Sequence, residues 1–397
     1  MNASLSPAQF PSFLPPSEMG AGITCSNKWG LQGHTEQVAL VAIIDAHIAF
    51  RAQIGHALMS LYRVKGFHDG IDAIRLMRLE PPSVILIDEM IGPKGGCEFI
   101  YDLRRDPVLS NVPTVITSVH DPSVIADALQ QCGADGCLAK PFRRSALIKM
   151  VTTLINRHVE ANWNNLPEHE RTVLKGTVEV FNNISDFIAA GEPVPFESVK
   201  DACAPLIAAV AKNDFRGILD GVKGHDNYSY AHSLRVATLL SLFGHTLGLK
   251  TEDQLVLASG GLLHDAGKIS IPHEVLNKQG PLTDEEFAVM KTHVAETVKF
   301  LNLTPGIPKP VIIIAAQHHE KLDGSGYPNG LKGLELNDLA RMASIVDVFS
   351  ALTDRRVYKL PMAAEKAMNI MTNQMGHHLD QHFLSLFKAM LLDAVVD

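Results

Sequence analysis

A short stretch around His264 and Asp265 carries residue types that are well suited to metal chemistry. The apolar pair Leu262-Leu263 leads into the two polar side chains, and Lys268 follows three positions after Asp265. If this stretch is helical, Lys268 lies one turn beyond both, and the three side chains can face one site. An imidazole and a carboxylate that can bridge two ions suit divalent metals, and a lysine can hold a phosphate oxygen. For the pair alone, a helix that simply ends in ordinary polar residues is an equally good interpretation.

Further candidate ligands follow in the second half of the chain, at expected helix ends or in loops. They are His232, His293, His318 and His319. Asp347 stands inside the apolar run 345–349, where a buried carboxylate is costly unless it is paired or bound to metal. A single histidine on an apolar face is usually a satisfied core residue. Five histidines and two aspartates in this arrangement favour a metal centre instead.

Short apolar runs alternate with helical segments, such as 49–62 and 122–132, between residues 37 and 155. This pattern predicts βαβ units and a doubly wound parallel sheet of the flavodoxin type. The runs cover 38–44, 84–87, 114–117 and 136–139, and the polar residues at their ends are Asp45, Asp88, Ser118 and Lys140. Parallel sheets bind ligands at the carboxyl ends of their strands, so we expect these four side chains to lie together.

The rest of the chain reads as all-helical. We place a helical connector at 156–195 and an all-α domain at 196–397, with helices expected over 168–190 and 196–211 because apolar residues recur at helical spacing. The helix expected over 168–190 is either a coil through which two chains dimerise or part of the core of the following domain. It shows no sustained heptad pattern of apolar residues, which favours the core.

The composition limits the function. The 397-residue chain is 46% hydrophobic and carries a net charge of −8, which argues against a nucleic-acid polymer or an anionic membrane as partner. Its five cysteines show no CxxC spacing, and no apolar run approaches the ~20 residues of a membrane helix. We therefore expect a cytoplasmic protein. Residues 1–36 are rich in Pro, Ser and Gly and predict a disordered or loosely packed tail.

The α/β segment resembles the receiver domain of response regulators. The resemblance implies that Asp88 is the phosphoacceptor, assisted by Asp45, Ser118 and Lys140, and that a sensor histidine kinase is a partner. The family holds magnesium with an acidic pair, but this chain has Asp45-Ala46, so one carboxylate is missing and the Mg²⁺ site is in doubt. A pseudo-receiver that serves dimerisation or docking is the alternative.

The helical half resembles the HD-GYP branch of the HD metal-dependent phosphohydrolases. His264-Asp265 matches the HD pair, and Gly326-Tyr327-Pro328 follows the double histidine as the GYP signature. The resemblance implies a two-metal site, because Tyr228 stands where some members have a glutamate for a third ion. It assigns one ion to His232, His264, Asp265 and Asp347, with Asp265 bridging, and the other to His293, His318 and His319.

The same resemblance implies the reaction. Iron or manganese is favoured as the metal, with nickel or zinc as alternatives, and Lys268 and Asp265 act in catalysis. Substrate contacts are expected from Arg356, Lys359 and Tyr327. The implied substrate is cyclic di-GMP, opened to pGpG and then cleaved further to GMP in some cases. The alternatives are a two-metal hydrolase that prefers pGpG or another phosphodiester, and a weak nucleotide sensor or scaffold. A homodimer is compatible with either.

Overall fold

The computed structural model describes residues 39–396 except 60, 122–129, 277, 279 and 355–361. The expected tail 1–36, most of the expected helix 122–132, and Arg356 and Lys359 therefore lie outside the described residues. Among the helices that are described, none combines the length and apolar character needed to cross a bilayer.

The N-terminal part is a parallel sheet with five strands among the described residues, in the order β2-β1-β3-β4-β5. The strands are β1 (Leu40–Ile44), β2 (Arg63–Phe67), β3 (Val84–Asp88), β4 (Thr114–Ser118) and β5 (Gly136–Ala139). The predicted parallel α/β fold is confirmed. Sequence reasoning missed β2, because this edge strand is half-exposed and its sequence, RVKGF, is not an apolar run.

Helices cover both faces of this sheet, which is why its central strands are apolar on both sides. They are α1 (Ile48–Leu58), α2 (Gly70–Met77), α3 (Gly96–Arg104) and α4 (Arg144–Ile155). One core lies between the sheet and α1 with α4, and a second lies between the sheet and α2 with α3. The two cores fix the strand ends, and with them the polar side chains that follow β1, β3, β4 and β5.

The remainder is helical, as predicted. Its helices are α5 (Arg157–Trp163), α6 (Glu168–Ala190), α7 (Phe196–Ala211), α8 (Arg216–Gly221), α9 (Tyr228–Thr246), α10 (Thr251–Leu263), α11 (His273–Leu276), α12 (Asp284–Asn302), α13 (Lys309–Gln317), α14 (Asp338–Thr353), α15 (Ala364–Asn373) and α16 (Gln381–Val396). Val173, Leu174 and Ile184 of α6 are buried in the same core as α7, α9 and α10. The segment expected as a connector thus contributes to the core of the helical part.

Asn156 joins the receiver-like part to the helical part. It is buried, its amide nitrogen donates to Thr152 O at 2.9 Å, and its amide oxygen accepts from Asp226 N at 2.7 Å. Asp226 precedes Asn227, whose side chain caps the first turn of α9 by accepting from Tyr230 N. Asn156 therefore ties the end of α4 to the start of the helix that carries His232.

Replacing Asn156 with alanine is expected to destabilise the helical part by about 1–3 kcal/mol, because the part-buried amide of Asp226 loses this acceptor. Urea unfolding followed by circular dichroism measures the change. The matched control is Asn162→Ala on the exposed surface of α5, which should stay within about 0.5 kcal/mol of the parent. Equal stability of the two variants would contradict the role given to Asn156.

Candidate metal centre

The structure brings all seven proposed ligands of the helical part together. They come from α9 (His232), the end of α10 and the following turn (His264, Asp265), α12 (His293), the residues after α13 (His318, His319) and α14 (Asp347). They form two groups in which the potential ligand atoms lie within 4.8 Å of one another. One group is Asp265, His293, His318 and His319, and the other is His232, His264 and Asp347.

Asp265 lies between the two groups, and each of its oxygens faces one of them. Oδ1 is 3.3 Å from His293 Nε2 and 3.7 Å from His318 Nε2. Oδ2 is 3.2 Å from His264 Nε2 and 3.8 Å from His232 Nε2. This is the position that a carboxylate bridging two ions would need.

Backbone carbonyls orient three of the imidazoles. Nδ1 of His264, His293 and His318 lies 2.7–2.9 Å from the carbonyl oxygen three residues earlier, which belongs to α10, α12 and α13 respectively. With Nδ1–H donating to that carbonyl, the lone pair of Nε2 points into the centre. Local helix geometry therefore sets both the tautomer and the direction of these three side chains.

Several buried polar atoms at the centre lack a hydrogen-bond partner among the described residues. They are Nε2 of His264, His293 and His318, together with Oδ1 of Asp265. Burying such atoms unsatisfied is costly, and all four belong to residues of the two ligand groups. Imidazole nitrogens and carboxylate oxygens are ligands for divalent transition metals. The side chains present therefore fit metal ions.

The electrostatics at Asp265, His293 and His319 favour the protonation states that metal ligands need. Burial would raise the pKa of Asp265, but His264 and Lys268 beside it hold that pKa well below its usual range. Burial lowers the pKa of His293, and burial together with His318 and His293 lowers the pKa of His319 well below its usual value. Ionised carboxylates and neutral imidazoles bind cations without first releasing a proton.

Residues 264–270, here called the HD turn, do not continue helix α10. Helix α10 ends at Leu263, and a 3₁₀ turn follows over Ala266–Ser270. The side chain of Lys268 still forms an ion pair with Asp265 Oδ2, so the two lie together as the helical interpretation required. The turn is tight because Gly267 packs on α12: Gly267 N donates to Thr297 Oγ1 at 2.9 Å, and Thr297 Oγ1 donates to His293 O at 2.8 Å.

Residues 323–328, here called the GYP loop, fold back over the double histidine. The ring of Tyr327 lies 4.7 Å from that of His319, and Tyr327 N donates to His319 O at 3.2 Å. A Cβ on Gly326 would lie 2.5 Å from the backbone of Glu320 and Lys321, so only glycine permits this approach. The buried Glu320 carboxylate accepts from the amides of Asn329 and Leu331 and holds the chain beyond the loop.

Sequence reasoning missed two residues that support the centre. Glu320 stands beside the double histidine, but no role was inferred for it. Asp354 lies seven residues after Asp347. This spacing of two helical turns puts both side chains on one helix face, and it could have identified Asp354 from the sequence. Its Oδ2 is 3.4 Å from His232 Nδ1, and its Oδ1 pairs with Arg235 at 3.1 Å. Asp354 thereby turns His232 Nε2 towards Asp347, 3.0 Å away.

We expect Asp354→Asn to lower metal affinity or turnover by about 10–100-fold, the usual loss when a carboxylate behind a ligating histidine is changed. Competition with a chelator measures the affinity. Asp380→Asn is the matched control, because Asp380 also pairs with an arginine, Arg341 at 3.3 Å, but is not part of either ligand group. The same loss in both variants would refute a specific role for Asp354.

Tyr228 occupies the position where a third-metal glutamate would stand. Its ring stacks on His232 with centroids 5.7 Å apart and 18° between the planes. The side chain supports His232 through this contact and offers no carboxylate. The two groups of ligands described above are thus compatible with two ions.

At the sheet edge, Lys140 reaches both aspartates. Lys140 Nζ is 3.0 Å from Asp45 Oδ2 and also pairs with Asp88. Ser118 lies at the same edge, where its hydroxyl donates to Glu89 and accepts from His120 N at 2.8 Å. The strand ends therefore meet as the sequence predicted. Ala46 follows Asp45 without a second carboxylate.

Comparison with known proteins agrees with this two-part architecture. A response regulator receiver domain model matches residues 41–152, and an HD domain model matches residues 220–383. The fold and the site thus define a response regulator with a metal-binding helical output domain. More particularly, the chain joins a response regulator receiver domain to an HD domain.

Three relatives illustrate the range of similarity. The cyclic di-GMP phosphodiesterase response regulator RpfG of Xanthomonas campestris is 26% identical over 91% of this chain and 90% of its own length. The cyclic di-GMP phosphodiesterase PA4108 of Pseudomonas aeruginosa is 38% identical over 42% of this chain and 41% of its own length. The 3′3′-cGAMP-specific phosphodiesterase 1 of Vibrio cholerae is 38% identical over 39% of this chain and 36% of its own length.

Proposed function

We propose that this chain is a metal-dependent phosphodiesterase that hydrolyses cyclic di-GMP to pGpG, with control by residues 37–155 and catalysis by residues 196–397. The observation that carries the proposal is the position of Asp265, which presents one oxygen to each of two groups of buried ligands. The names of the relatives that match both domains support the substrate class.

The proposed chemistry divides between the ions and the chain. Two divalent ions, when bound, supply an activated water and neutralise charge on the phosphoryl oxygens. The chain holds them through the two groups described above, with Asp265 between the groups. Lys268, paired with Asp265, contributes a positive charge beside the same carboxylate for a non-bridging phosphate oxygen. Tyr327 lies against His319 and forms a wall of the site.

Arg356 and Lys359, which lie outside the described residues, are proposed as phosphate contacts. Iron or manganese is proposed as the metal, with nickel and zinc as alternatives, because a mixed set of imidazole and carboxylate ligands accepts all four.

A second substrate should be tested directly. Two of the relatives are each 38% identical to this chain, but one is named for cyclic di-GMP and the other for 3′3′-cGAMP. A preference for pGpG is the other alternative within this reaction class. A sensor or scaffold without turnover is disfavoured, since no ligand of either group is missing.

The test is hydrolysis of cyclic di-GMP, 3′3′-cGAMP and pGpG by the full chain loaded anaerobically with Fe²⁺ or Mn²⁺, with products separated by chromatography. We expect cyclic di-GMP to be turned over to pGpG at the highest kcat/KM. A higher kcat/KM for 3′3′-cGAMP or pGpG would replace the substrate but keep the reaction class. Absence of turnover with two ions bound would overturn the proposal in favour of a sensor.

We further propose that a sensor histidine kinase controls the enzyme through Asp88, and that Ala46 makes the receiver a weak Mg²⁺ binder. The substitution Ala46→Asp should restore the second carboxylate and tighten Mg²⁺ binding by about tenfold or more, since proteins usually hold Mg²⁺ through one or two charged carboxylates. Magnesium titration of the full chain, followed by beryllofluoride binding, measures the gain. Ala46→Asn is the uncharged control, and equal Mg²⁺ affinity in the two variants would contradict this account.

A further inference from the structure

Two histidines and one aspartate form a separate cluster outside the metal centre. Asp323 opens the GYP loop, whereas His377 and His378 lie in the turn between α15 and α16. Their potential ligand atoms all lie within 4.8 Å of one another. Asp323 and His377 are exposed and His378 is partly exposed, so a solvated ion can reach the cluster.

The geometry of this cluster suits a small transition-metal ion. His378 Nε2 lies 3.5 Å from Asp323 Oδ2, and the rings of His377 and His378 are 3.9 Å apart. Ligands bound tetrahedrally at about 2.0–2.1 Å from one ion lie roughly 3.3 Å from each other. The nitrogen and the oxygen are thus almost at the spacing that a shared ion would impose.

Backbone and side-chain hydrogen bonds hold the two segments in place. Leu322 N donates to His378 O at 3.0 Å, which joins the start of the GYP loop to the turn. Asp323 Oδ1 accepts from both the amide and the hydroxyl of Ser325, at 2.9 and 2.7 Å. These bonds leave Oδ2 directed at His378. The arrangement therefore exists before any ion binds and requires little reorganisation.

We propose that Asp323, His377 and His378 form a further metal site, distinct from the catalytic centre, that binds Zn²⁺ or a similar ion and fastens the GYP loop to the turn before α16. Two imidazoles and one carboxylate form a ligand set for such ions, and water completes the coordination. The charge of Lys321, which acts on both Asp323 and His378, opposes the cation. Binding should therefore be weaker than at the catalytic centre, which presents seven ligands.

The test is equilibrium dialysis of the full chain against Zn²⁺, with metal content measured by mass spectrometry. The parent protein and His382→Ala, an exposed histidine of α16 outside the cluster, should each bind one more Zn²⁺ per chain than His377→Ala or Asp323→Asn. Equal stoichiometry in all four proteins would overturn the proposal. The comparison is independent of turnover, because these substitutions leave all seven ligands of the catalytic centre in place.

Hydrogen exchange tests whether the ion fastens the loop. Added Zn²⁺ should slow amide exchange in residues 322–326 of the parent and of His382→Ala, but not of His377→Ala. Slowing of equal size in His377→Ala would assign the effect to the catalytic centre and would contradict the proposed site.

Discussion

Asp265→Ala is expected to lower the turnover of cyclic di-GMP by at least about 10³-fold, equivalent to about 4 kcal/mol of transition-state stabilisation. One oxygen of Asp265 faces His293 and His318, and the other faces His232 and His264. These oxygen–nitrogen distances are 3.2–3.8 Å. Removal of Asp265 takes one ligand from both proposed ions and leaves Lys268 without its carboxylate partner. Metal content should fall from two ions per chain to one or none at the catalytic centre.

The control for this variant is Asp253→Ala, an exposed aspartate in the first turn of α10, the helix that precedes Asp265. It should keep the parent's metal content and turnover. Circular dichroism establishes that both variants are folded. Asp265→Ala protein that keeps two catalytic ions and at least a tenth of the parent's turnover would refute the bridging role.

Gly267→Ala is expected to have the second-largest effect. A Cβ at this position would lie 2.2 Å from His293 O and 2.7 Å from Thr297 N, both of which are backbone atoms of α12. Because a helix backbone cannot yield locally, the HD turn and α12 must separate, and His293 moves away from Asp265. Overpacking of this kind costs about 1–3 kcal/mol, and we expect turnover to fall by about 10²-fold or more through loss of metal.

Gly176→Ala in α6 provides the matched control, since a Cβ there makes only an ordinary contact of 3.7 Å with Ala202. Alanine is the better helix former, so this variant should equal or exceed the parent in stability, by up to about 1 kcal/mol. Thermal unfolding and metal analysis distinguish the two variants. Gly267→Ala protein with the parent's Tm and metal content would show that the close packing of the turn is dispensable.

The fold class and the polar residues at the strand ends could be predicted from the amino-acid sequence. Continuous apolar runs identified β1, β3 and β4 because those strands are buried along nearly their whole length. The run at β5 was also identified, although this second edge strand is partly exposed. The edge strand β2 escaped the same reasoning because one side of it is solvated. The carboxyl ends of parallel strands lie at the same edge of a sheet, and this does not depend on the conformation of the loops. Asp45, Asp88 and Lys140 could therefore be placed together from sequence.

The way in which the ligands of the helical part combine depends on the packing of the helices and could not be predicted from sequence. Sequence and family resemblance nominated seven side chains, but their distances depend on how five helices pack, which no local pattern specifies. The support of His232 by Asp354 and of the loop segment by Glu320 arises from such packing. The same holds for the Asp323–His378 pair, whose members stand 55 positions apart and meet because the GYP loop is bonded to the turn before α16. Contacts between distant segments are set by burial and hydrogen bonding across the whole domain, and these become visible only once the helices are assembled.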